Sequence, residues 1–579
     1  MSAVNPEDGM DGARPKAHAG APLQEQASLS LVVRLGGAAG LLVGALVIVA
    51  VLLPASSPAP LPRILSAIPL VLLVVWSLAM MVFQGQALGK LGRAGTWAMV
   101  AGLAILGALN LAQAISPDAP LLRWFSSTPA GWLVSLALVA LVWGTLSLGT
   151  ASFATGRLPR ACVVLWTVGL AASVVTDWRP ATFIALAGIL WSSIVLLRAR
   201  SQDGSLAAPP APPGGASWDR LVPLDALRGT IMALMAIDHA SIYVRRWHPF
   251  ETWDQPLPDY PSLAALLTRL VTHPCAPGFF FLMGAGMLLY LEARRKAGWS
   301  EGRIFGHLAL RALLFILLEQ VIVDVVIAGR LTPLDFSILA GLGGAMLLGL
   351  PFLKLRGRIQ ALAGVVIVLV MQLLPGWLLH AELGALTPVR LLLVPGSVGP
   401  VYVLYPPVPW LGITLLGMAF ARGLRLDARR TYRIALAGGL ACLALFVGLR
   451  GLGGFGNLRM PDGNGLIDFF NVVKYPPSLT FLLLFLGFDL ILLGVFSQLT
   501  RLVGTVGRPL ATLGQAALYF FLVHWFVYAS IGHSFFPAPG GLPATFLVWF
   551  TGLVGLYPIC RAYEAFKHSM PASSVWRMI

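Results

Sequence analysis

Apolar runs of about twenty residues recur along almost the whole of this chain, from near residue 29 to near residue 562. A helix of that length is about 30 Å long, the thickness of a bilayer's hydrocarbon core, and it satisfies every backbone donor within itself. The pattern therefore excludes soluble folds. Composition agrees: 57% of the residues are hydrophobic and 11% charged, with a mean hydropathy of +0.81. The net charge of +16 does not point to nucleic acid, because Lys and Arg fall in short clusters between the apolar runs. That is how loops facing an anionic leaflet look.

The expected fold class is all-α, a polytopic integral membrane protein of about sixteen transmembrane helices. Residues 1–28 are polar and read as a flexible cytoplasmic tail without the order of a cleaved signal. Six spans follow near 29–53, 62–83, 94–115, 130–153, 161–177 and 180–197, forming an N-terminal membrane domain (29–200) of unassigned role. Residues 201–219, SQDGSLAAPPAPPGGASWD, break the hydropathy and read as a linker. Ten further spans are expected near 222–243, 276–294, 304–328, 335–353, 359–379, 404–421, 432–449, 478–498, 510–531 and 543–562, within a second domain (220–565). A cytoplasmic tail (566–579) closes the chain. Placing both termini in the cytoplasm puts most Lys and Arg inside, as the positive-inside rule requires.

Within this frame the stretch VTHPCAPGFFFLMGAGMLLYL, Val271 to Leu291, stands out. Pro274 and Pro277 remove backbone donors, so regular helix is expected from near Gly278. His273 then sits on the rim, where a side chain that exchanges protons near neutral pH can do chemistry. The plainer reading is an interfacial histidine bound to a loop carbonyl. With the N-terminus inside, His239, His248, His273, His380, His524 and His533 gather at the outer level with Asp238, Glu319, Asp324 and Asp335. Ionisable groups in hydrocarbon must be paired or line a cavity, so this layer reads as an outward-opening polar chamber or as a set of helix tethers. Tethering is the simpler role for Asp489 and His533.

The seventh span, LVPLDALRGTIMALMAIDHASIYV, carries groups at both ends. Asp225 is placed to cap the helix, and Arg228 shares its face near the cytoplasmic surface, where it could hold a phosphate. Asp238 and His239 lie about 15 Å further on. Neighbours on a helix diverge by about 100°, so Asp238 could serve His273 rather than His239. Basic loops carrying Arg294 and Arg295, Lys354 to Arg358, and Arg422 to Arg433 are explained by topology, and some could bind phosphates. The four cysteines form no CxxC pair, and no histidines have i, i+4 spacing, so neither a disulfide framework nor a metal site is expected. Cys275 reads as a packing residue rather than a nucleophile.

LDALRGTIMALMAIDHA, THPCAPGFFFLMGAG, YPPVPWLGITLLGMAFAR (405–422), KYPPSLTFLLLFLG (474–487) and ALYFFLVHWFVY (517–528) occur in this order. Together they resemble the membrane acyltransferases of the heparan-α-glucosaminide N-acetyltransferase catalytic-domain family and its bacterial relatives, over roughly residues 220–565. The resemblance implies transfer of an acetyl or other acyl group from cytosolic acetyl-CoA (acyl-CoA) to an acceptor on the far side of the membrane. It maps the family's proposed catalytic histidine onto His273 and the family's arginine at the start of the first core span onto Arg228. His239 falls where the lysosomal members carry an important asparagine, a departure that bears on acceptor and mechanism.

The candidate catalytic residues are therefore His273, Asp238 and His239, and the candidate cofactor-binding residues are Arg228, Arg294 and Arg295. Glu319, Lys474, Tyr475 and His524 are candidates for the acceptor side, with Thr272, Lys474 and Tyr475 available as oxyanion donors. His273 can act as a base or accept the acyl group itself. The expected partners are acyl-CoA, an extracytoplasmic glycan, amino sugar or other small acceptor, and the lipid bilayer of the cell membrane; a homo-oligomer is left open. A glycan O-acetyltransferase of acyltransferase family three and a secondary transporter are the alternatives.

Overall fold

The computed structural model describes residues 23–52, 60–115, 128–176, 178–199, 222–245, 249–328, 334–374, 391–460, 463, 465–499, 505, 507–571 and 574–578. The expected N-terminal tail up to residue 22, the 201–219 linker, His248 and His380 lie outside the described residues. Six N-terminal helices come first: α1 (Leu23–Leu52), α2 (Pro60–Gln84), α3 (Gly89–Ile115), α4 (Thr128–Thr155), α5 (Arg160–Val175) and α6 (Arg179–Arg198). Then follow α7 (Val222–Tyr243), α8 (Leu263–Thr272), α9 (Cys275–Lys296) and α10 (Glu301–Leu318), which continues through a π-helical turn (Glu319–Val323) into a last turn (Asp324–Ala328). The bundle is completed by α11 (Ile338–Gly349), α12 (Gly357–Val370), α13 (Pro407–Leu426), α14 (Ala428–Leu452), α15 (Leu466–Phe470), α16 (Leu479–Gln498), α17 (Arg508–Gln515), α18 (Ala517–Phe535) and α19 (Leu542–Ser569).

Among the described residues, ten helical segments are long and apolar enough to cross a membrane, fewer than the sixteen expected. The difference is physical as well as one of counting. Helix α7 carries charges at both ends, α10 carries Glu301, Arg303 and Arg311, α5, α11 and α12 are short, and α2 and α3 fall within one apolar segment, Leu65–Gln113. The chain also departs from a purely helical fold. A three-stranded sheet, β1 (Leu334–Phe336), β2 (Gly396–Val398) and β3 (Val401–Val403), has β3 between a parallel β1 and an antiparallel β2. Asp335, expected to open a helix, is thus in a strand, and the helix starts at Ile338.

Glycines set the closest helix approaches. A Cβ on Gly284 of α9 would lie 1.9 Å from the Thr414 carbonyl oxygen of α13, and one on Gly417 of α13 equally close to that of Phe281. Helices α7 and α17 meet in the same way: a Cβ on Gly229 would lie 1.7 Å from Leu510 O, and one on Gly514 2.0 Å from Asp225 O. Small residues let backbones touch where lipid offers no hydrophobic drive to association. Helix α7 is central, packing on α8, α9, α16, α17, α18 and α19.

The six N-terminal helices join this core through α4 and α5. Trp143 Nε1 donates to Gly555 O (2.9 Å), Ser135 Oγ to Ser534 O (2.7 Å), and Thr150 Oγ1 lies 2.5 Å from the Tyr519 hydroxyl.

Candidate active site

The expected helix start at Gly278 is three residues late. Helix α9 begins at Cys275, with Pro274 as its N-cap residue and Pro277 in the first turn, where a missing N–H leaves no hydrogen bond unmade. Helix α8 runs up to Thr272, so His273 is the elbow between two helices. Its side chain is enclosed by protein, at 2% exposure.

What surrounds His273 was not apparent from the sequence. Arg269, one turn earlier on α8, is the centre of a buried ion network. Its Nη1 donates to both Asp238 oxygens (2.9 and 2.6 Å), its Nε and Nη2 to the two oxygens of Glu251 (2.8 and 2.9 Å), and Nη2 also to Pro249 O (3.0 Å). The Tyr260 hydroxyl adds a third donor to Glu251 at 2.7 Å. His273 Nε2 lies 3.6 Å from Glu251 Oε1, while its Nδ1 is buried without a hydrogen-bond partner. The ring packs on Phe481 and Phe485 of α16, with centroids 5.5 and 5.0 Å away. Burial alone would raise the pKa of Glu251. The Arg269 guanidinium, then His273 and Lys474, reverse this and hold the carboxylate well below its usual range.

Asp238 therefore pairs with Arg269, which joins it to Glu251 beside His273. Thr272 Oγ1 is engaged with Arg269 O (2.8 Å) and Asp238 (3.3 Å). Lys474 and Tyr475 border the same network. Their backbone N–H groups both donate to Glu251 O (2.9 and 3.1 Å), which clamps the KYPPS stretch onto the loop after α7. Lys474 Nζ stands 5.0 Å over the Tyr475 ring, and the Tyr475 hydroxyl is 3.3 Å from that of Tyr405. Cys275 Sγ donates to Ile231 O at 3.0 Å.

His239 belongs to a different cluster. Its Nδ1 is 2.5 Å from His524 Nε2, and its ring stacks on Trp525 at 4.0 Å. His524 Nδ1 lies 3.1 Å from Phe520 O. A carbonyl only accepts, so His524 Nδ1 carries the proton, its Nε2 accepts from His239 Nδ1–H, and His239 Nε2 is left with the lone pair. Glu319 lies elsewhere again. It is fully buried, Oε2 accepts from Ala340 N (2.6 Å) at the start of α11, and Oε1 has no partner. Asp489, expected as a tether, has neither carboxylate oxygen bonded.

At the opposite, basic end lies a cavity of about 320 Å³. Arg228, Arg311, Lys567 and Arg577 line it together with apolar residues of α7, α9, α10, α11 and α18, and no acidic side chain is among its walls. Asp225 lies inside the first turn of α7 rather than capping it, and pairs with Arg228 at 2.9 Å. Burial, and after it the neighbouring Arg294, depress the pKa of the Arg577 guanidinium. Arg294 stands over the Tyr290 and Trp299 rings at 5.0 and 5.3 Å, and Tyr290 lines the cavity. Arg295 instead pairs with Glu301 on the surface. Met232 lines the cavity on α7, and His239 follows seven residues later on nearly the same face, about 10 Å along the axis. Phe521, another wall residue, packs on both His239 (6.3 Å) and His524 (5.5 Å). His273 is not in the wall.

The arrangement suits a transferase set in a membrane: a basic mouth, apolar walls, and beyond them the half-buried His239 beside the buried His524. Residues 220–452 match the family model described as heparan-alpha-glucosaminide N-acetyltransferase, catalytic. This is the family that the sequence motifs resemble, and it supports an acetyltransferase; the match ends before the Lys474 and His524 motifs. No curated protein matches the chain. Among the described residues no group of three His, Cys, Asp or Glu side chains could hold a metal ion.

Proposed function

We propose that the protein transfers an acetyl group from acetyl-CoA, bound from the cytoplasmic side, to an amine or hydroxyl of a glycan, amino sugar or similar small acceptor presented on the other side of the cell membrane. The observation that carries this reading is the cavity: four cations at one end, apolar walls, and histidines past the other. The cations suit the phosphates of the donor and the walls its pantetheine arm. The positive-inside rule supports reading the basic end, and with it both termini, as cytoplasmic.

In the chemical step the acceptor's nitrogen or oxygen attacks the thioester carbonyl, its proton passes to a histidine, and the CoA thiolate leaves and is protonated. His273 is the reacting group proposed from the motif. Glu251, fixed by Arg269 and Tyr260, faces its Nε2 and would stabilise the imidazolium, while Nδ1 serves as base or as acyl carrier. Lys474 is the oxyanion donor closest to this network. One observation favours a second assignment: His239 stands on the cavity's own face of α7, with its lone pair fixed on Nε2 by His524.

The test is binding and hydrolysis of radiolabelled acetyl-CoA by wild type, His273→Ala and His239→Ala, all shown to be folded. Retained binding with lost turnover identifies the reacting histidine. A wild type that binds no acetyl-CoA, under conditions where a known family member does, refutes the donor.

A further inference from the structure

The six N-terminal helices lie outside the matched stretch, yet one of them reaches the cavity's mouth through the end of the chain. Arg577 belongs to a short helical turn that includes Trp576, after α19. The Tyr563 hydroxyl of α19 donates to Trp576 O at 2.8 Å, and Met578 beyond it is 2% exposed. The Trp576 ring packs edge-on against Phe153 of α4, with centroids 4.7 Å apart. Phe153 in turn packs on Phe566 of α19 at 5.0 Å, and the Arg160 guanidinium of α5 covers both phenyl rings at 5.7 and 5.2 Å. Arg160 also reaches Met570 Sδ (3.7 Å). The segment that carries a cavity cation is thus held on one side by α19 and on the other by the N-terminal helices.

We infer that the N-terminal six-helix unit serves the donor site, with Phe153 and Trp576 as positioning residues that hold the closing segment so that Arg577 meets the phosphates of the acyl donor. This rests on the acetyl-CoA reading of the cavity. The physical argument is preorganisation. Ordering an arginine and its segment at the moment of binding costs entropy, and an aromatic clamp bears that cost in advance. Edge-to-face aromatic pairs of this kind attract beyond the area they bury.

The experiment measures acetyl-CoA dissociation constants and steady-state kinetics on the full chain for wild type, Phe153→Ala, Trp576→Ala, Trp576→Phe, Arg577→Ala and the Trp576→Ala/Arg577→Ala double variant. S-acetyl-pantetheine, which lacks the phosphates, serves as a second ligand measured by competition. Loss of one charge-assisted phosphate contact predicts about tenfold weaker acetyl-CoA binding in Arg577→Ala. Phe153→Ala and Trp576→Ala should weaken it several-fold, raising donor KM with little change in kcat. Trp576→Phe should restore it, and the double variant should bind no worse than Arg577→Ala, because both changes remove one interaction. Binding of S-acetyl-pantetheine should be the same in all. If Phe153→Ala and Trp576→Ala bind acetyl-CoA like wild type, or weaken both ligands equally, the inference is wrong. A wild type that binds neither ligand removes the donor reading itself, and this inference with it.

Discussion

Replacing Arg269 by methionine tests the centre of the site most directly. The guanidinium makes at least five hydrogen bonds to Asp238, Glu251 and Pro249 from a position only 5% exposed. Its removal takes the guanidinium donors away from the Glu251 carboxylate, 1% exposed, and from Asp238. Breaking a buried ion pair from one side costs about 3–5 kcal/mol, chiefly because the stranded charge stays buried. Asp238 is partly exposed and adds less. At about 2 °C per kcal/mol for a large chain, Tm should fall by about 6–10 °C. All four cysteines are free and three are buried, so a thiol-reactive dye reports unfolding without labelling the protein further. The triple variant Arg269→Met/Glu251→Gln/Asp238→Asn, which strands no charge, should recover most of the lost Tm. A fall of less than about 2 °C in Arg269→Met, or a triple variant no better than the single, would refute the reasoning that stranded buried charge sets the cost.

The depressed pKa of Glu251 contributes stability that is full above the unfolded carboxylate value of about 4.3 and is lost as pH falls below it towards the folded value; a Glu251→Gln variant should therefore show a flatter Tm profile between pH 5 and 3 than wild type. Arg228→Ala and Arg311→Ala should each weaken acetyl-CoA binding by about tenfold, and raising salt should weaken wild type more than either variant. Gly284→Val would drive side-chain carbons into the Thr414 carbonyl and should destabilise the α9–α13 contact by about 2 kcal/mol or more, seen as lost folded yield, whereas the same change at the open Gly286 should be tolerated for packing.

The parts of this site that the sequence made legible are those whose signal is local. Apolar length announced the helices, and the paired prolines marked the segment around His273. Arg228 showed itself as a charge near the foot of an apolar run. The partners of these residues are long-range and left no periodic trace. Glu251 sits in a loop between Phe250 and Trp253 with no periodic pattern to mark it, and Lys567 and Arg577 read as topology signals or tail. Arg269 did leave a clue: a single arginine in an apolar amphipathic stretch, four residues before His273, needs a buried partner. The helix start was misplaced because proline was weighed only as a breaker, although in a first turn it removes a donor that would have had no acceptor.

The two histidine clusters make different demands on the reaction, and this allows them to be separated. His273 Nε2 lies 3.6 Å from the Glu251 carboxylate, and its Nδ1 has no hydrogen-bond partner. His239 is held by a neutral imidazole, so a proton taken at Nε2 is shared along the chain to His524 and the Phe520 carbonyl. Asparagine at 239 could still donate to His524 Nε2 but could not take a proton. If His239 is the base, His239→Asn should lower the rate at saturating acetyl-CoA by about 10²–10⁴, and His524→Phe should lower it less, by loosening the tautomer. If His273 is the reacting group, His239→Asn should keep kcat within about tenfold while shifting acceptor KM, and the loss of 10²–10⁴ should fall on His273→Ala. Should His273 carry the acyl group, brief incubation with acetyl-CoA alone must leave an acetyl mass on the wild type that His273→Ala lacks and His239→Asn retains. Equal, small effects of both substitutions would leave neither histidine in the chemical step and would contradict the mechanism drawn from this geometry.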